Sequence, residues 1–348
     1  MTFSEKILEW YDENKRDLPW RSTRNPYNIW LSEIILQQTR IAQGTPYYVR
    51  FIENFPTVHD LAKAPEEKVL KLWQGLGYYS RARNLHTTAK MVVDEYGGQF
   101  PDSYKELLKL KGIGDYTASA ISSICFDERQ PVVDGNVYRV LARYFGIDTP
   151  INSTEGVKQF KNLARDIMHL DNIRDYNQGI MEFGAIQCAP KKPYCLHCPL
   201  HTDCKALQQG LVAQLPVKLK KTTVRNRYFN YLVVLDSSNQ TILKQRTGKG
   251  IWKNLWEFPL LESDKELPIN EVEKKLKEVL RLKNVTELYR FNEKTIVHKL
   301  SHQHLHSYFW IAKGDFELED GISWTEIDQY PVPVLIADFI KTVKNLYF

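Results

Sequence analysis

The chain has 348 residues, 43% of them hydrophobic and 26% charged, a balance that suits two or three globular domains with buried cores. No apolar run approaches the roughly 18–20 residues that a membrane helix needs, and the N-terminal MTFSEKILEWYDENKRDLPW lacks the apolar core of a secretory signal, so membrane and export are excluded as expectations. The net charge of +5 lies in the first two-thirds: residues 226–348 carry 17 Lys+Arg against 17 Asp+Glu, leaving 30 against 25 in residues 1–225, a basic excess that hints at nucleic acid without demanding it.

As far as about residue 210 the pattern is helix after helix. In 28–40, Ile29, Ile34, Ile35 and Leu36 recur near helical spacing, and further helices are expected over 66–74, 81–95, 103–110, 116–125, 136–146, 156–169 and 175–187, several set off by Gly75–Gly77, Gly97–Gly98 and Pro101. Glu33 stands in the first of these, in the apolar, amide-rich run WLSEIILQQT. Residues 108–121, LKLKGIGDYTASAI, end one helix, turn sharply at Gly112-Ile113-Gly114 and open another near Tyr116. Two glycines let backbone amides approach an anion, and the helix that follows adds its positive end. The same letters also suit an ordinary turn between two helices. Asp134 follows in PVVDGNVYRV, at the head of a helix. A helix-surface glutamate and an N-capping aspartate are the bland readings of the two carboxylates. The chemical reading is a pair that breaks a glycosidic bond, one acid for the leaving group and one anion for the cationic sugar.

Four of the five cysteines crowd into 17 residues, as Cys188, Cys195, Cys198 and Cys204, with spacing C-x6-C-x2-C-x5-C. A secreted disulfide framework would be spread out; this run suits one metal centre, either zinc or an iron–sulfur cluster. Lys191, Lys192 and His201 lie between them, and the lone Cys125 reads as a small core residue.

The composition then shifts. Residues 216–227, PVKLKKTTVRNR, hold five basic residues and no acid, as in a linker that touches phosphate. Strand patterns follow at 228–235, 241–246 and 304–312, with helices at 270–282 and 333–346, which makes a second domain of α+β type.

The cysteine spacing resembles the cluster loop of the endonuclease III superfamily of DNA glycosylases, and the glycine turn resembles its helix–hairpin–helix. Together with Glu33 in LSEIILQQT, Tyr78-Tyr79 in GLGYYSRARNL, Tyr116 in the hairpin and Asp134 in VDGNVYRVLAR, the chain resembles adenine DNA glycosylases of the MutY type over nearly all of 1–215, and the likeness continues into the second domain. The fold class this implies is multidomain: an all-α helix–hairpin–helix glycosylase with an iron–sulfur cluster loop, followed by an α+β Nudix-like domain. Its parts are a helical catalytic region at 1–215 (a helix–hairpin–helix subdomain at about 25–133 and a cluster subdomain from 1–24 plus 134–215), a basic linker at 216–227 and a Nudix-like lesion-recognition domain at 228–348.

The resemblance also implies roles. Glu33 protonates adenine and later handles water, which requires burial to raise its pKa. Asp134 stays ionised against the sugar cation, Tyr116 bonds to the carboxylate pair and Asn136 orients it. Leu18, Trp20 and Arg21 line the base pocket. Gln38 and Tyr78 wedge into the duplex where adenine leaves the stack. Gly112 and Gly114 grip DNA phosphate, and the four cysteines hold a 4Fe–4S cluster. Bifunctional relatives carry a Schiff-base lysine where this chain has Tyr116, and Lys111 precedes the turn, so a monofunctional enzyme is expected.

The segment GIWKNLWEFP (250–259) is the strongest local match in the second domain. Its helix EVEKKLKEVLRLK has lysines where a Nudix hydrolase needs paired acids, so recognition rather than hydrolysis is expected. The family's lesion-reading loop has Phe-Ser-His; here Leu300, Ser301 and His302 stand, a departure at Leu300. His298, His302, His304 and His306 read as a solvated or DNA-facing strand more readily than as a metal site. The implied partner is double-stranded DNA containing A:8-oxoguanine or A:G mispairs, bound by a monomer in a bacterial cytoplasm, at the nucleoid. Two other readings compete: an endonuclease III-like glycosylase/lyase on damaged pyrimidines, and a non-catalytic iron–sulfur DNA-binding module.

Overall fold

The structure is a computed structural model that describes residues 1–219, 224–280, 282 and 284–347. Part of the basic stretch 216–227 and residue 281 of the predicted helix 270–282 therefore lie outside the described residues. Contacts divide the chain into two units, Met1–Lys63 with Asn84–Lys220, and Ala64–Arg83 with Lys221–Phe348. No helix among the described residues is long and apolar enough to cross a membrane.

The first unit is helical. Thr2 and Glu5 form a capping box that starts α1 (Phe3–Asn14). Asn25 caps α2 (Pro26–Leu36), with Pro26 in the first turn where its missing N–H costs nothing. Seven of the eleven α2 residues are buried, so this is a central helix of the fold and not an amphipathic surface one. It stops at Leu36, short of the expected 40, as Gln38 turns to φ 58°. Next come α3 (Ile41–Asn54), α4 (Val58–Lys63), α5 (Glu66–Trp73), which belongs to the second unit, and α6 (Ser80–Tyr96), within which the division falls.

The helix expected over 103–110 is only α7 (Tyr104–Leu107). Beyond it the chain tightens, with Leu110 N–H bonding to Leu107 O and Ile113 N–H to Leu110 O. Gly112 takes φ 77°, and α8 (Asp115–Phe126) opens from Gly114 as N-cap. Then follow α9 (Gly135–Phe145), α10 (Thr154–Ile167) and α11 (Ile173–Glu182). The last runs on as a π-turn at Phe183–Gln187 towards the cysteine loop, which holds a 3-10 turn at Cys195–His197 and the short α12 (Lys205–Gln208). Ile7, Tyr11, Val137, Leu141, Phe160, Tyr176 and Phe183 pack into one core that joins α1, α9, α10 and α11.

In the second unit, β1 (Arg225–Leu235), β2 (Lys244–Gln245), β3 (Trp256–Glu257), β4 (Leu260–Ser263), α13 (Ile269–Leu280), β5 (Val285–Arg290), β6 (Ile296–Lys299), β7 (Gln303–Gly314) and α14 (Val334–Tyr347) succeed one another. The main sheet runs β4-β1-β7-β5, with β6 also on β7. β1 and β7 pair in parallel from Arg225↔Gln303 to Leu235↔Lys313, and the other pairs are antiparallel. The expected strands 228–235 and 304–312 lie within β1 and β7. The expected 241–246 is reduced to β2 and a bridge from Thr241 to Ile322.

The sequence reading put residues 64–83 in the helical region, whereas their contacts group them with the second unit. Hydrogen bonds of their side chains, two to main chain and two to side chains, explain this. Lys71 Nζ donates to Tyr330 O at 3.1 Å, Val332 N–H to Gln74 Oε1 at 3.3 Å, Asn254 Nδ2 to Glu66 Oε1 at 2.6 Å and Trp256 Nε1 to Glu67 Oε1 at 3.0 Å. A hydrophobic pattern marks α5 as a helix but not the distant carbonyl that Lys71 finds or the N–H that Gln74, just past its end, accepts.

Gly112 and Gly114 differ in what they require. A Cβ on Gly112 would stand 2.7 Å from Asn84 Cβ at a positive φ, while a Cβ on Gly114 would meet nothing. Gly112→Ala should therefore cost about 1–3 kcal/mol in urea unfolding. Gly114→Ala should leave the midpoint nearly unchanged, and equal losses for both would refute this account of the turn.

Candidate active site

The helical unit assembles two carboxylates from separate elements. Glu33 projects from the buried α2. Burial raises its carboxyl, the Tyr116 hydroxyl bonded to it lowers it, the charge of Asp134 raises it and Arg21 lowers it, with a net result of about 7. Tyr116, in the first turn of α8, also reaches Met181 Sδ at 3.4 Å, and burial keeps its phenol protonated.

Asp134 is the N-cap of α9. Its Oδ1 accepts from the N–H of Asn136 and of Val137, each at 2.8 Å, and its Oδ2 accepts from Asn136 Nδ2 at 2.8 Å. Asp134 thus caps α9, as the bland reading has it, and its charge also acts on Glu33. Burial pushes the Asp134 carboxyl up, and these three donors pull it back.

Behind the pair lies a chain that the sequence did not reveal. Arg139 Nη2 donates to Asn136 Oδ1 at 2.9 Å and to Gly184 O, and its Nε donates to Cys188 O at 2.8 Å. Arg143, one turn on, donates to Ala189 O at 2.8 Å and to Cys188 Sγ at 3.4 Å. Both guanidiniums are buried on α9. A pattern reading takes them for the charged face of an amphipathic helix, and only the chain's later return supplies the carbonyls they bind.

The segment between α1 and α2 brings Leu18, Trp20 and Arg21 to this unit. Leu18 and Trp20 are buried, with the Trp20 ring edge-on to Tyr48 at 5.2 Å. Arg21 is bound to Glu182 and acts electrostatically on Glu33. Glu182, Met181, Arg139 and Arg143 are residues that the sequence reading missed. Cys125 is partly buried, with its thiol pushed up to about 12 by burial.

The four cysteines form no disulfide. Among the described residues no set of three or more His, Cys, Asp or Glu side chains closes into an ion-holding group, which includes these cysteines and the histidines around 298–306. The thiols nevertheless lie within electrostatic reach of one another. Burial pushes Cys198 up to about 11, with Cys188, Cys204 and Cys195 adding to it. Four soft donors on one short loop, with the Arg143 N–H on one sulfur, fit an iron–sulfur cluster by donor type.

In the second unit, Tyr78 is 53% exposed at φ 48° and faces the Arg81 guanidinium at 5.7 Å. β6 and β7 form a hairpin whose tip is Leu300–Gln303, closed by Leu300 N–H on Gln303 O at 2.8 Å, with Ser301 Oγ 3.3 Å from His302 Nδ1. Tyr78, Arg83, Arg227, Trp252 and this tip line a cavity of about 530 Å³. His306 instead stacks on Tyr228 at 4.8 Å.

Comparison with known proteins agrees with this architecture. A family described as "HhH-GPD superfamily base excision DNA repair protein" matches residues 31–165, and a "NUDIX domain" matches 230–342. Among solved structures, that of a thermostable thymine-DNA glycosylase aligns with TM-score 0.56 at 34% identity, over 60% of this chain and 95% of that one. A trapped endonuclease III–DNA covalent intermediate aligns with TM-score 0.52 at 24% identity, over 60% and 95%, which speaks for the fold alone. The adenine DNA glycosylase of Mus musculus is 44% identical over 226 residues, 62% of this chain and 44% of that protein. The adenine DNA glycosylase of Buchnera aphidicola subsp. Acyrthosiphon pisum is 36% identical over 305 residues, 87% of this chain and 84% of that protein. With that likeness spanning both units, the chain belongs to the adenine DNA glycosylase family.

Proposed function

We propose that this protein is a monofunctional base-excision glycosylase that hydrolyses the N-glycosidic bond of adenine mispaired with 8-oxoguanine or guanine in duplex DNA. The observation that carries the reading is the Glu33 carboxyl near pKa 7, bonded to Tyr116 and facing an Asp134 whose charge three N–H donors hold. A carboxylic acid in that state donates a proton at neutral pH, which an ordinary glutamate does not.

Adenine is extruded from the stack into the helical unit, with Leu18, Trp20 and Arg21 around it. Glu33 gives its proton to adenine N7. The bond from C1′ to N9 breaks, with its electron pair passing into the purine, and the cationic sugar is stabilised by the Asp134 carboxylate. Water then adds to C1′ and yields a proton to the Glu33 carboxylate, restoring the acid. Tyr116 holds Glu33 by its hydroxyl, and Asn136 orients Asp134.

Gln38, and separately Tyr78, enter the duplex where the base leaves; each is exposed and has a positive φ, an uncommon backbone state for a residue with a side chain. The hairpin's backbone N–H groups near Gly112 and Gly114 grip phosphate without reading sequence. Leu300, Ser301 and His302 contact the oxidised guanine, Leu300 as an apolar wedge that stacks less well than the family's phenylalanine. Cys188, Cys195, Cys198 and Cys204 would hold a 4Fe–4S cluster, whose ligation cross-links the loop they share.

Single-turnover adenine release should therefore fall as pH rises through about 7, where Glu33 loses its proton. Glu33→Gln should lower release by about 10²–10⁴-fold with DNA binding retained. Stability should move the other way. The folded pKa lies above the unfolded 4.5, so native protein binds the extra proton between these values and loses stability as pH climbs from 4.5 through 7. Glu33→Gln should thus be more stable than the parent by about 1–3 kcal/mol at pH 8, the difference fading below about pH 4.5. A variant that still excises adenine would remove Glu33 from the chemistry.

Borohydride should trap little protein–DNA adduct, because Tyr116 stands where a Schiff base would form. High-yield trapping, or cleavage of an oxidised-pyrimidine duplex without alkali, would move the protein to the glycosylase/lyase class. Ser301→Ala should reduce the preference for A:8-oxoguanine over A:G by several-fold in competition assays, and an unaltered ratio would remove the 300–302 tip from lesion reading.

A further inference from the structure

The buried carboxylate of Glu182 has no part in the mechanism above, yet it is the most heavily hydrogen-bonded acid of the helical unit. It lies at the end of α11 and is 2% exposed. Arg16 donates to it from Nε and Nη2, both at 2.6 Å, and from its backbone N–H at 3.2 Å. Arg21 donates from Nη1 at 3.1 Å and from Nη2 at 2.8 Å. Burial alone would raise the carboxyl, but the two guanidiniums override it and hold it at about 2, so Glu182 is an anion throughout the working range. Two bidentate partners on one carboxylate fix geometry as well as charge.

What is fixed is the segment between α1 and α2, which has no regular secondary structure across 15–18 and only turns and bends beyond. A further tie to α11 is Arg174 Nη2, which donates to Arg21 O at 2.7 Å, and Arg24 pairs with Asp127 at the end of α8. Both terminal nitrogens of Arg21 are committed, one of them also to Arg16 O at 2.9 Å, while the buried Arg21 Nε–H has no acceptor. A buried donor without a partner needs a physical account, and an acceptor that arrives with a ligand would supply one.

We propose that Glu182 is a positioning residue for the base pocket: it takes up both terminal nitrogens of Arg21, presents the remaining Nε–H to an acceptor on the flipped base, and keeps the Arg21 cation from pairing with Glu33. The proposal rests on Glu33 being the acid. The groups that face Glu33 are Tyr116 and Cys125 from α8, Asp134 at the head of α9, and Arg21. Of these, Arg21 is the cation, and its carboxylate partner is Glu182, which it shares with the Arg16 cation.

The experiment is single-turnover adenine release against pH, with the full-length protein and a duplex containing A opposite 8-oxoguanine. Glu182→Gln removes the anion and leaves Arg21 free to engage Glu33. The alkaline limb should shift to lower pH by about one unit, which reads as an approximately tenfold slower release at pH 8 with little loss at pH 5.5. Glu182→Asp, which keeps the charge, should restore the limb. Arg21→Gln leaves Glu182 paired to Arg16, so it avoids an unpaired buried charge if Glu182→Gln fails to fold, and it should shift the limb to higher pH. A limb that stays in place in Glu182→Gln while release falls uniformly, or that stays in place in Arg21→Gln, would overturn the proposal and leave Glu182 as a packing residue. Glu33→Gln run beside them separates the two readings. If it still excises, the acid assignment has failed; if it is inactive while the limbs do not move, only the positioning role has failed.

Discussion

A carboxylic acid kept out of water beside a second carboxyl group is the constraint on which the helical unit depends. Charging Glu33 inside α2 is costly, and the neighbouring Asp134 makes it costlier. The surroundings resolve this unequally. Asp134 receives the two N–H groups that begin α9 and the Asn136 amide, whereas Glu33 receives a single hydroxyl and an apolar helix. Burial raises both carboxyls, and the donors on Asp134 offset more of that rise than the one hydroxyl on Glu33 is placed to do.

Holding that asymmetry needs rigid support, and α11 supplies much of it. Asn177 bonds to Val132 N–H and to Gln130 O just before Asp134, Met181 meets the Tyr116 hydroxyl, and Arg174 and Glu182 tie down the segment that carries Arg21. From α9, Arg139 and Arg143 reach the carbonyls of 184 and 188–190 where the chain enters the cysteine loop. Asp134 and the cysteine loop are therefore parts of one hydrogen-bonded frame that runs through Asn136 and Arg139.

The second unit keeps a mixed sheet built on the long parallel pair β1 and β7, closed by α14 through the stacking of Phe309 on Phe339 at 3.9 Å. Its helix α13 lacks the paired acids of a magnesium-binding hydrolase. What the sheet offers instead is a hairpin tip bordering a cavity that Arg83 and Lys299 also line, with Arg227 paired to Glu262. A rigid sheet that presents a short turn suits recognition of a single altered base.

The sequence by itself determined the class of each half and singled out the two carboxylates that the fold brings within electrostatic reach of each other. Helical periodicity set against alternation separates the halves, and Glu33 in an apolar run, Asp134 before a helix, the Gly112–Gly114 turn and four crowded cysteines are local signals, readable because each depends on residues a few positions apart. The shorter elements were less legible. β4, β5 and β6 have half-exposed residues and little alternation, and α7 is cut short by a turn that propensity does not foresee. Tertiary structure decided that 64–83 packs with the C-terminal unit, that Asp134 caps α9 while its charge acts on Glu33, and that Glu182, Arg139 and Arg143 are internal. The reason is physical: a charged side chain on a helix looks solvent-facing in sequence, and whether it is buried depends on which distant carbonyl or carboxylate the folded chain brings against it.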